Sequence, residues 1–293
     1  MWVYVDGAVC RAAEARVPVL DRGFLYGDSV FEVTRTAGRR PVLWTEHMDR
    51  LQRSAALLGM TLPSPETIVA ACQQVLRPLV APEAYLRIIV TRGGGALDLD
   101  PAAADAPRLL ILAKPLRLPT AQQVQDGVAL WTVGQRRSGP GLLPEAKSGN
   151  YLSSVMALRA ARQHGAYEAV LCDPEGYITE GATSNLFIVH RPSSAPARLS
   201  TPPLSLGLLP GITRAAVLGL ARALPDVDVC EERFTPAQAA AADEVFITSS
   251  IRGVLPVTSL SGTPVGDGRP GPVTLRLRAA YEQLLDDSAH GRS

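Results

Sequence analysis

The mixture of short strand-like and helix-like segments is the feature that most limits the fold of this chain. Dense apolar runs at residues 85–91 and 108–113 predict buried strands, whereas residues 46–58 carry apolar side chains at helical spacing. The two kinds of segment follow one another without the strict strand–helix–strand alternation of a doubly wound parallel sheet. The sequence therefore predicts an α+β fold with mixed α/β content.

The sequence pattern changes near residue 114, and this change predicts a boundary between two domains. With 293 residues, the chain is long enough for two domains of ordinary size. The segment KPLRLPTAQQ at residues 114–123 contains two prolines and little periodicity, which is typical of a connection between domains. We expect a small N-terminal α/β domain at residues 1–115, a linker at 116–125 and a larger C-terminal domain at 126–293.

Composition and charge argue against several classes of protein. Hydrophobic residues make up 46% and charged residues 19% of the chain, and the net charge of +1 gives no basic excess for nucleic acid. No run approaches the roughly 20 apolar residues that a membrane helix needs, and the first residues lack the pattern of a signal peptide. The four cysteines and four histidines are too scattered to suggest a metal site or a disulfide framework. We expect a cytoplasmic protein that binds no metal, no nucleic acid and no membrane.

Lysine is scarce: only Lys114 and Lys147 are lysines among 29 basic residues. Lys147 lies in PEAKSGNYLSS, between a proline- and glycine-containing loop and a predicted helix. A lysine can lose its proton and attack a carbonyl group, which arginine cannot do. Lys147 is therefore a candidate nucleophile, with a solvated surface position as the alternative, and we interpret Lys114 as a lysine at the domain edge.

Two further segments suggest groups that could accompany such an amine. Glu180 in ITEGATSN follows a predicted strand, and a buried carboxylate there requires a partner such as a protonated ring nitrogen. In LLPGITRAAV, Gly211 leads directly into a helix whose first N–H groups and positive end suit a phosphate. Taken singly, these segments are better explained by a surface carboxylate and an ordinary helix start. Together with Lys147 they match the aldehyde, ring nitrogen and phosphate of pyridoxal 5′-phosphate (PLP).

These segments belong to a longer ordered series that extends over nearly the whole chain. The series runs through LDRGFLYGDSVFEVTR, EHMDRLQRSA, AYLRIIVTRG, KSGNYLSS, AYEAVLCDPEGYITEGATSNLF, LLPGITRAAV, DEVFITSSIRGVLPV and GPVT. It resembles the class IV aminotransferases, the PLP enzymes of fold type IV. That family includes branched-chain aminotransferases, D-amino-acid aminotransferases and aminodeoxychorismate lyases.

The resemblance implies a role for each matching residue and a C-terminal domain that binds the cofactor. Lys147 matches the catalytic lysine that carries PLP and moves the proton, and Glu180 matches the carboxylate on the ring nitrogen. Arg50 in HMDRL matches an arginine that binds the phosphate. Ser250 matches a hydroxyl residue that also contacts the phosphate. The cofactor-binding set implied in this way is Arg50, Lys147, Glu180, Ser184, Asn185, Leu208 (or its neighbour Leu209), Gly211, Ile212, Thr213 and Ser250.

Substrate choice is expected to depend on loops and strands of the first domain. The candidate substrate-binding residues are Tyr26, Phe31, Val33, Arg35, Tyr85, Arg87 and Arg252. The pair formed by Tyr85 and Arg87 is similar to a pair in branched-chain enzymes. Two residues depart from the branched-chain pattern. Val33 stands where branched-chain enzymes usually have glycine, and Arg252 lies in a loop where they usually have small residues. Arg252 is therefore either a substrate carboxylate anchor or a solvated arginine.

The resemblance leaves several activities open. In the loop TRGGGALDLDP, Asp98 and Asp100 stand where D-amino-acid enzymes carry an arginine and a histidine for the substrate carboxylate. We therefore expect an aminotransferase that moves an amino group between an amino acid and a 2-oxo acid, with branched-chain L-amino acids favoured, and the resemblance implies a homodimer. The alternatives are a D-amino-acid aminotransferase, an aminodeoxychorismate lyase and a non-enzymatic PLP-binding protein.

Overall fold

The computed structural model of the chain describes residues 1–134 and 145–290. Within these residues the chain forms two compact units. Unit 1 contains Met1–Arg117, Ala146–Asn150 and residues 285–290, and unit 2 contains the other described residues. Across the same residues, no helix is both long enough and apolar enough to cross a membrane.

Unit 1 is built on a six-stranded antiparallel sheet with the strand order β2-β1-β6-β5-β3-β4. Its strands are β1 (Trp2–Val5), β2 (Ala8–Arg11), β3 (Ser29–Ala37), β4 (Arg40–Pro41), β5 (Ala84–Thr91) and β6 (Arg108–Pro115). Its helices are α1 (Arg22–Tyr26), α2 (Trp44–Leu57) and α3 (Pro65–Leu76). The two faces of this sheet differ in what packs against them.

Helices α2 and α3 cover one face of this sheet and form the core of unit 1. Ser64 caps α3, because its side chain accepts a hydrogen bond from the N–H of Thr67, and a proline at the first helical position favours the helix start. Leu86, Ile88 and Val90 of β5 belong to the resulting core. Because strand side chains alternate, the residues between them point to the opposite face.

Unit 2 is built on a nine-stranded mixed sheet with the order β12-β11-β10-β13-β14-β7-β8-β9, and β15 pairs with β14. Its strands are β7 (Val128–Val133), β8 (Glu168–Cys172), β9 (Ile178–Gly181), β10 (Asn185–His190), β11 (Ala197–Thr201), β12 (Val227–Glu231), β13 (Glu244–Ser249), β14 (Gly253–Leu260) and β15 (Thr263–Pro264). Its helices are α4 (Ala121–Gln125), α5 (Leu152–Gln163), α6 (Ile212–Arg222), α7 (Pro236–Ala240) and α8 (Pro272–His290), of which α8 ends in unit 1.

The predicted α+β class is confirmed, since helices and strands mix within both units. The sequence placed residues 146–150 in the C-terminal domain, whereas the structure groups Ala146–Asn150 with unit 1. Backbone hydrogen bonds explain this grouping: Phe31 N donates to Lys147 O at 2.9 Å, and Gly149 N donates to Ser29 O at 2.9 Å. Helices α1 and α4 and strands β11 and β15 were not predicted.

Candidate active site

The segment that contains Lys147 is hydrogen-bonded to the backbone of strand β3. Besides accepting from Phe31 N, Lys147 donates its own N–H to Ser54 Oγ of α2 at 3.1 Å. The neighbouring Gly149 N donates to Ser29 O, and Ser148 forms an isolated bridge with Val30. The Nζ atom of Lys147 lies 4.5 Å from the centre of the Phe31 ring. The short segment thus fixes the candidate amine next to an aromatic side chain of the sheet, although 93 residues separate Lys147 from Ser54 in sequence.

The face of the unit 1 sheet opposite α2 and α3 collects most of the predicted substrate residues. The register places Val33 opposite Arg87 and Arg35 opposite Tyr85, so these residues share one face with Phe31. The guanidinium of Arg87 stacks over the Phe31 ring at 4.0 Å. This side of the sheet is lined by aromatic, apolar and cationic side chains.

Tyr26 and Lys114 also lie in unit 1, at the end of α1 and on β6. Tyr26 is the last residue of α1, half-buried, with the Arg22 guanidinium 5.1 Å from its ring centre. Lys114 is exposed on β6, and its Nζ lies 4.5 Å from the ring of Tyr85. Both lysines of the chain therefore contact aromatic rings of unit 1, but only Lys147 is held by β3.

Arg50 belongs to a buried cluster on the helix side of the same sheet. Its Nε and Nη2 each lie 2.7 Å from the carboxylate of Glu32, and His47 Nδ1 lies 2.7 Å from Glu32 Oε2. Burial raises the pKa of the Glu32 carboxyl, but the Arg50 charge and the hydrogen bonds from Arg50 and His47 outweigh burial and lower the pKa to about 2. Glu32 is therefore an ionised carboxylate that fixes the guanidinium plane of Arg50.

Glu180 lies inside β9, in unit 2, and only 3% of it is exposed. Its Oε2 accepts a hydrogen bond from the backbone N–H of Leu209 at 3.2 Å. The chain just before α6 is therefore tied to the carboxylate, and Asn185 Nδ2 strengthens this tie by donating to Leu209 O at 3.0 Å. The predicted apolar neighbour, Leu208, is fully buried.

The start of α6 approaches β10 so closely that only glycine fits at position 211. A Cβ on Gly211 would lie 1.9 Å from Asn185 Oδ1. Gly211 is the N-cap of an 11-residue helix, and no side chain caps it. Ile212 and Thr213, the next two residues, are buried, and Thr213 Oγ1 lies 3.0 Å from the phenol oxygen of Tyr281 in α8.

Two buried hydroxyls near this helix start have no partner within the described part of the chain: Ser184 Oγ and Thr248 Oγ1. Ser184 directly precedes Asn185, and Thr248 is paired with Asn185 across β10 and β13. Buried polar groups are normally satisfied, so unpartnered donors beside an uncapped helix end fit a bound polar ligand. The described residues thus include the kinds of group that PLP requires: an amine in unit 1, and a buried carboxylate and hydrogen-bond donors in unit 2.

Ser250 and Arg252 lie at the tip of the hairpin that joins β13 and β14. The guanidinium of Arg252 turns back into unit 2, where Nη1 donates to Glu168 Oε2 at 2.9 Å and Nη2 donates to Thr183 Oγ1. The sequence predicted either a substrate anchor or a solvated arginine, and only a fifth of this side chain is exposed.

Known proteins of similar sequence support this interpretation of the groups. The family model described as amino-transferase class IV matches residues 29–260. The chain is 34% identical to the branched-chain-amino-acid aminotransferase of Escherichia coli over 97% of this chain and 93% of that protein. It is 33% identical to the D-alanine aminotransferase of Bacillus licheniformis over 99% of both chains.

Two solved structures are also similar. The crystal structure of the E. coli branched-chain amino acid aminotransferase gives a TM-score of 0.88 at 34% identity, covering 98% of this chain and 95% of that chain. The branched-chain amino acid aminotransferase of a T.th. strain, solved with pyridoxamine 5′-phosphate, gives 0.87 at 32% identity, covering 100% and 95%.

The fold and the chemical groups define a PLP-dependent transaminase of fold type IV. The chain belongs to the class IV aminotransferases. When bound, PLP supplies an electron sink that weakens the bonds at the substrate Cα.

Sequence reasoning missed the partners of several predicted residues. They are Glu32 and His47 beside Arg50, Glu168 and Thr183 beside Arg252, Tyr281 beside Thr213, and Thr248 opposite Asn185. Glu32 alone carried a local signal, because a carboxylate between apolar strand residues requires a buried partner. The others come from distant segments and left no such signal.

Proposed function

We propose that this chain transfers the amino group of branched-chain L-amino acids to a 2-oxo acid. The observation that carries the proposal is the position of Lys147, whose Nζ lies 4.5 Å from the ring of Phe31, on the sheet face shared with Val33 and Tyr85. Aromatic and aliphatic groups at that face suit a branched apolar side chain. The names of the similar enzymes from E. coli and the T.th. strain agree with this substrate class.

The proposed roles of the chain's residues follow from their chemistry. Lys147 binds the cofactor covalently and, once displaced by the substrate amine, accepts and returns the Cα proton. Glu180 keeps the ring nitrogen protonated, because a buried carboxylate stabilises a nearby positive charge. Arg50 and the N–H groups at the start of α6 bind the phosphate. Ser184, Asn185, Leu208 and Ser250 line the cofactor.

The loop at residues 97–100 supports a preference for the L-enantiomer. Its two acids are occupied locally, since Asp98 Oδ1 accepts from Asp100 N at 2.9 Å and Asp100 Oδ1 accepts from Ala102 N at 2.9 Å. Arg22 binds the loop carbonyls, with Nη1 donating to Asp98 O at 2.6 Å. A loop whose own side chains are acids repels a substrate carboxylate, unlike the arginine and histidine of the D-amino-acid enzymes.

The test is a single-turnover reaction of the PLP-loaded enzyme with L-leucine and D-leucine, separately. We expect L-leucine to bleach the visible absorption of the lysine-bound cofactor and to yield one equivalent of 2-oxo acid. Bleaching by the D-enantiomer alone would favour a D-amino-acid aminotransferase, for which the 33% identity to the B. licheniformis enzyme is the supporting observation. Pyruvate release from aminodeoxychorismate, without reaction of either leucine, would favour the lyase.

The two lysines provide a matched pair for the central residue. We expect Lys147→Ala to abolish the visible band and turnover, because Lys114, the other lysine of the chain, lies on β6, which β5 separates from β3. Lys114→Ala is expected to keep both, since Lys114 is exposed on β6. A visible band that survives in Lys147→Ala and is lost in Lys114→Ala would reverse the assignment.

The proposed assembly is a homodimer in the cytoplasm. Exposed Leu152, Val155 and Met156 follow one another at helical spacing on α5 and form an apolar stripe that a second copy would cover. Val155→Glu is expected to lower the molar mass measured by light scattering, whereas Gln163→Glu, an exposed polar position on the same helix, leaves it unchanged. A cytoplasmic location agrees with four unpaired cysteines.

A further inference from the structure

The hairpin between β13 and β14 presents its tip through a three-residue connection. Ser249 pairs with Gly253, so residues 250–252 form the tip. Gly253 adopts φ +62°, the left-handed conformation that short hairpin loops need. Arg252 N donates to Ser249 Oγ at 3.3 Å and closes the turn. Ser250, one of the predicted cofactor residues, therefore has its position set by this tip.

The side chain of Arg252 connects the tip to the turn that follows Glu180. Its Nη1 donates to Glu168 Oε2 at 2.9 Å and its Nη2 donates to Thr183 Oγ1. Thr183 directly precedes Ser184, and its Oγ1 also donates to Glu168 Oε2 at 2.6 Å. Side chains from two other segments of the chain thus converge on the carboxylate of Glu168.

Glu168 requires these donors. It is fully buried in β8, and its second oxygen, Oε1, accepts from Ala169 N at 3.1 Å. An ionised buried carboxylate is costly unless a cation and hydrogen bonds compensate it. Arg252 is the cation in ion-pair contact with Glu168 among the residues that the structure describes.

We propose that Arg252 is a positioning residue that ties the hairpin tip bearing Ser250 to the turn bearing Ser184 through Glu168 and Thr183. Its guanidinium fork binds protein groups and does not anchor the substrate carboxylate. The inference rests on the proposed roles of Ser184 and Ser250 at the cofactor. Removing the fork releases two cofactor-lining turns at once, so cofactor affinity falls before any contact with substrate is lost.

The test is a double-mutant cycle with Arg252→Met, Glu168→Gln and the double variant. Arg252→Met leaves the carboxylate without a cation, whereas the double variant removes both charges and keeps Thr183 within reach of a Gln side chain. Arg162→Met is the matched control, because the guanidinium of Arg162 lies 5.4 Å from the ring centre of Tyr167 and that of Arg252 lies 5.5 Å from the same centre. Arg162 Nη1 donates to the backbone carbonyl of Ala166 and not to a side-chain carboxylate.

Two affinities are measured: that of the cofactor-free protein for PLP, and that of the PLP-loaded enzyme for 4-methylvaleric acid, a branched carboxylic acid without an amine. We expect Arg252→Met to weaken PLP binding about tenfold, the double variant to recover to within about threefold, and the control to match the wild type. At saturating PLP, the double variant is expected to bind the acid as the wild type does.

A different pattern would overturn the inference. If Arg252→Met and the double variant both bind PLP normally and both lose affinity for 4-methylvaleric acid, Arg252 anchors the substrate carboxylate. If Arg252→Met binds both PLP and 4-methylvaleric acid with the affinity of the wild type, Arg252 has no positioning role. A wild-type protein that develops no visible band with PLP would instead contradict the proposed function, which keeps the two failures distinguishable.

Discussion

Glu32 in unit 1 and Glu168 in unit 2 are both fully buried carboxylates on strands, yet their partners differ. Glu32 receives both Nε and Nη2 of Arg50 and a ring nitrogen of His47, and the side chains of all three are at least 96% buried. Glu168 receives one guanidinium nitrogen of Arg252, which is one-fifth exposed, and the hydroxyl of Thr183. Water can thus reach the cation of the second cluster but hardly that of the first.

The difference teaches how much each cluster depends on its carboxylate. An arginine that can turn toward solvent loses little when its partner is removed, whereas a buried arginine is left with an uncompensated charge. The cluster in unit 1 is therefore expected to dominate stability. The cluster in unit 2 is expected to act mainly on the position of the turns that it joins.

The largest expected effect is that of Glu32→Ala. Because Arg50 remains buried without a counter-charge, we expect a loss of about 3–5 kcal/mol in the free energy of unfolding. Glu168→Ala is expected to cost about 1–3 kcal/mol, since Arg252 can rehydrate. Urea unfolding of both variants at neutral pH measures the two values. Equal losses would remove the contrast between the two clusters.

A pH series isolates the charge of Glu32. Because the pKa of Glu32 in the folded chain is about 2, below its ordinary value of 4.5, its carboxylate stabilises the fold fully above pH 4.5. This contribution is lost as the pH falls through the folded-state pKa. We expect the advantage of the wild type over Glu32→Gln in urea unfolding to shrink between pH 4.5 and 2. An advantage that is constant across this range would contradict the ionised assignment.

The smallest expected effects come from His47 and Thr183, each of which forms one hydrogen bond with its carboxylate. His47→Phe removes one buried hydrogen bond to Glu32 and is expected to cost about 1–2 kcal/mol in unfolding free energy. Thr183→Val removes a partly exposed hydroxyl and is expected to cost less than about 1 kcal/mol, while weakening PLP binding severalfold. Thermal unfolding and PLP titration of both variants measure this split. A larger stability loss in Thr183→Val than in His47→Phe would invert the comparison.

Local signals in the sequence predicted several elements well. The apolar runs at residues 85–91 and 108–113 predicted β5 and β6, and the helical spacing at residues 46–58 predicted α2, because burial acts on a few neighbouring residues. Helix α1 has only five residues, and its cap depends on Asp21, which also binds Thr91 and Arg108. Such a helix cannot be recognised from its own spacing.

The candidate site divides in the same way. The scarcity of lysine, the carboxylate of Glu180 and the glycine before α6 are local facts, and the ordered series of segments around them carried the family resemblance. The sequence left the use of Arg252 open between a substrate anchor and a solvated side chain. The contacts with Glu168 and Thr183 join positions up to 84 residues apart, which no local pattern reports.

The sequence by itself determined the class of chemistry, because an amine, a carboxylate and a phosphate-binding helix start are properties of residue type and of short-range spacing. The tertiary structure decided which groups are engaged with one another. Backbone pairing with β3 brings Lys147 to Phe31, and strand register brings Arg87 and Tyr85 to the same face. Burial then makes each carboxylate depend on a cation supplied from elsewhere in the chain, since charge compensation in a dry interior is a matter of distance in space and not of distance along the sequence.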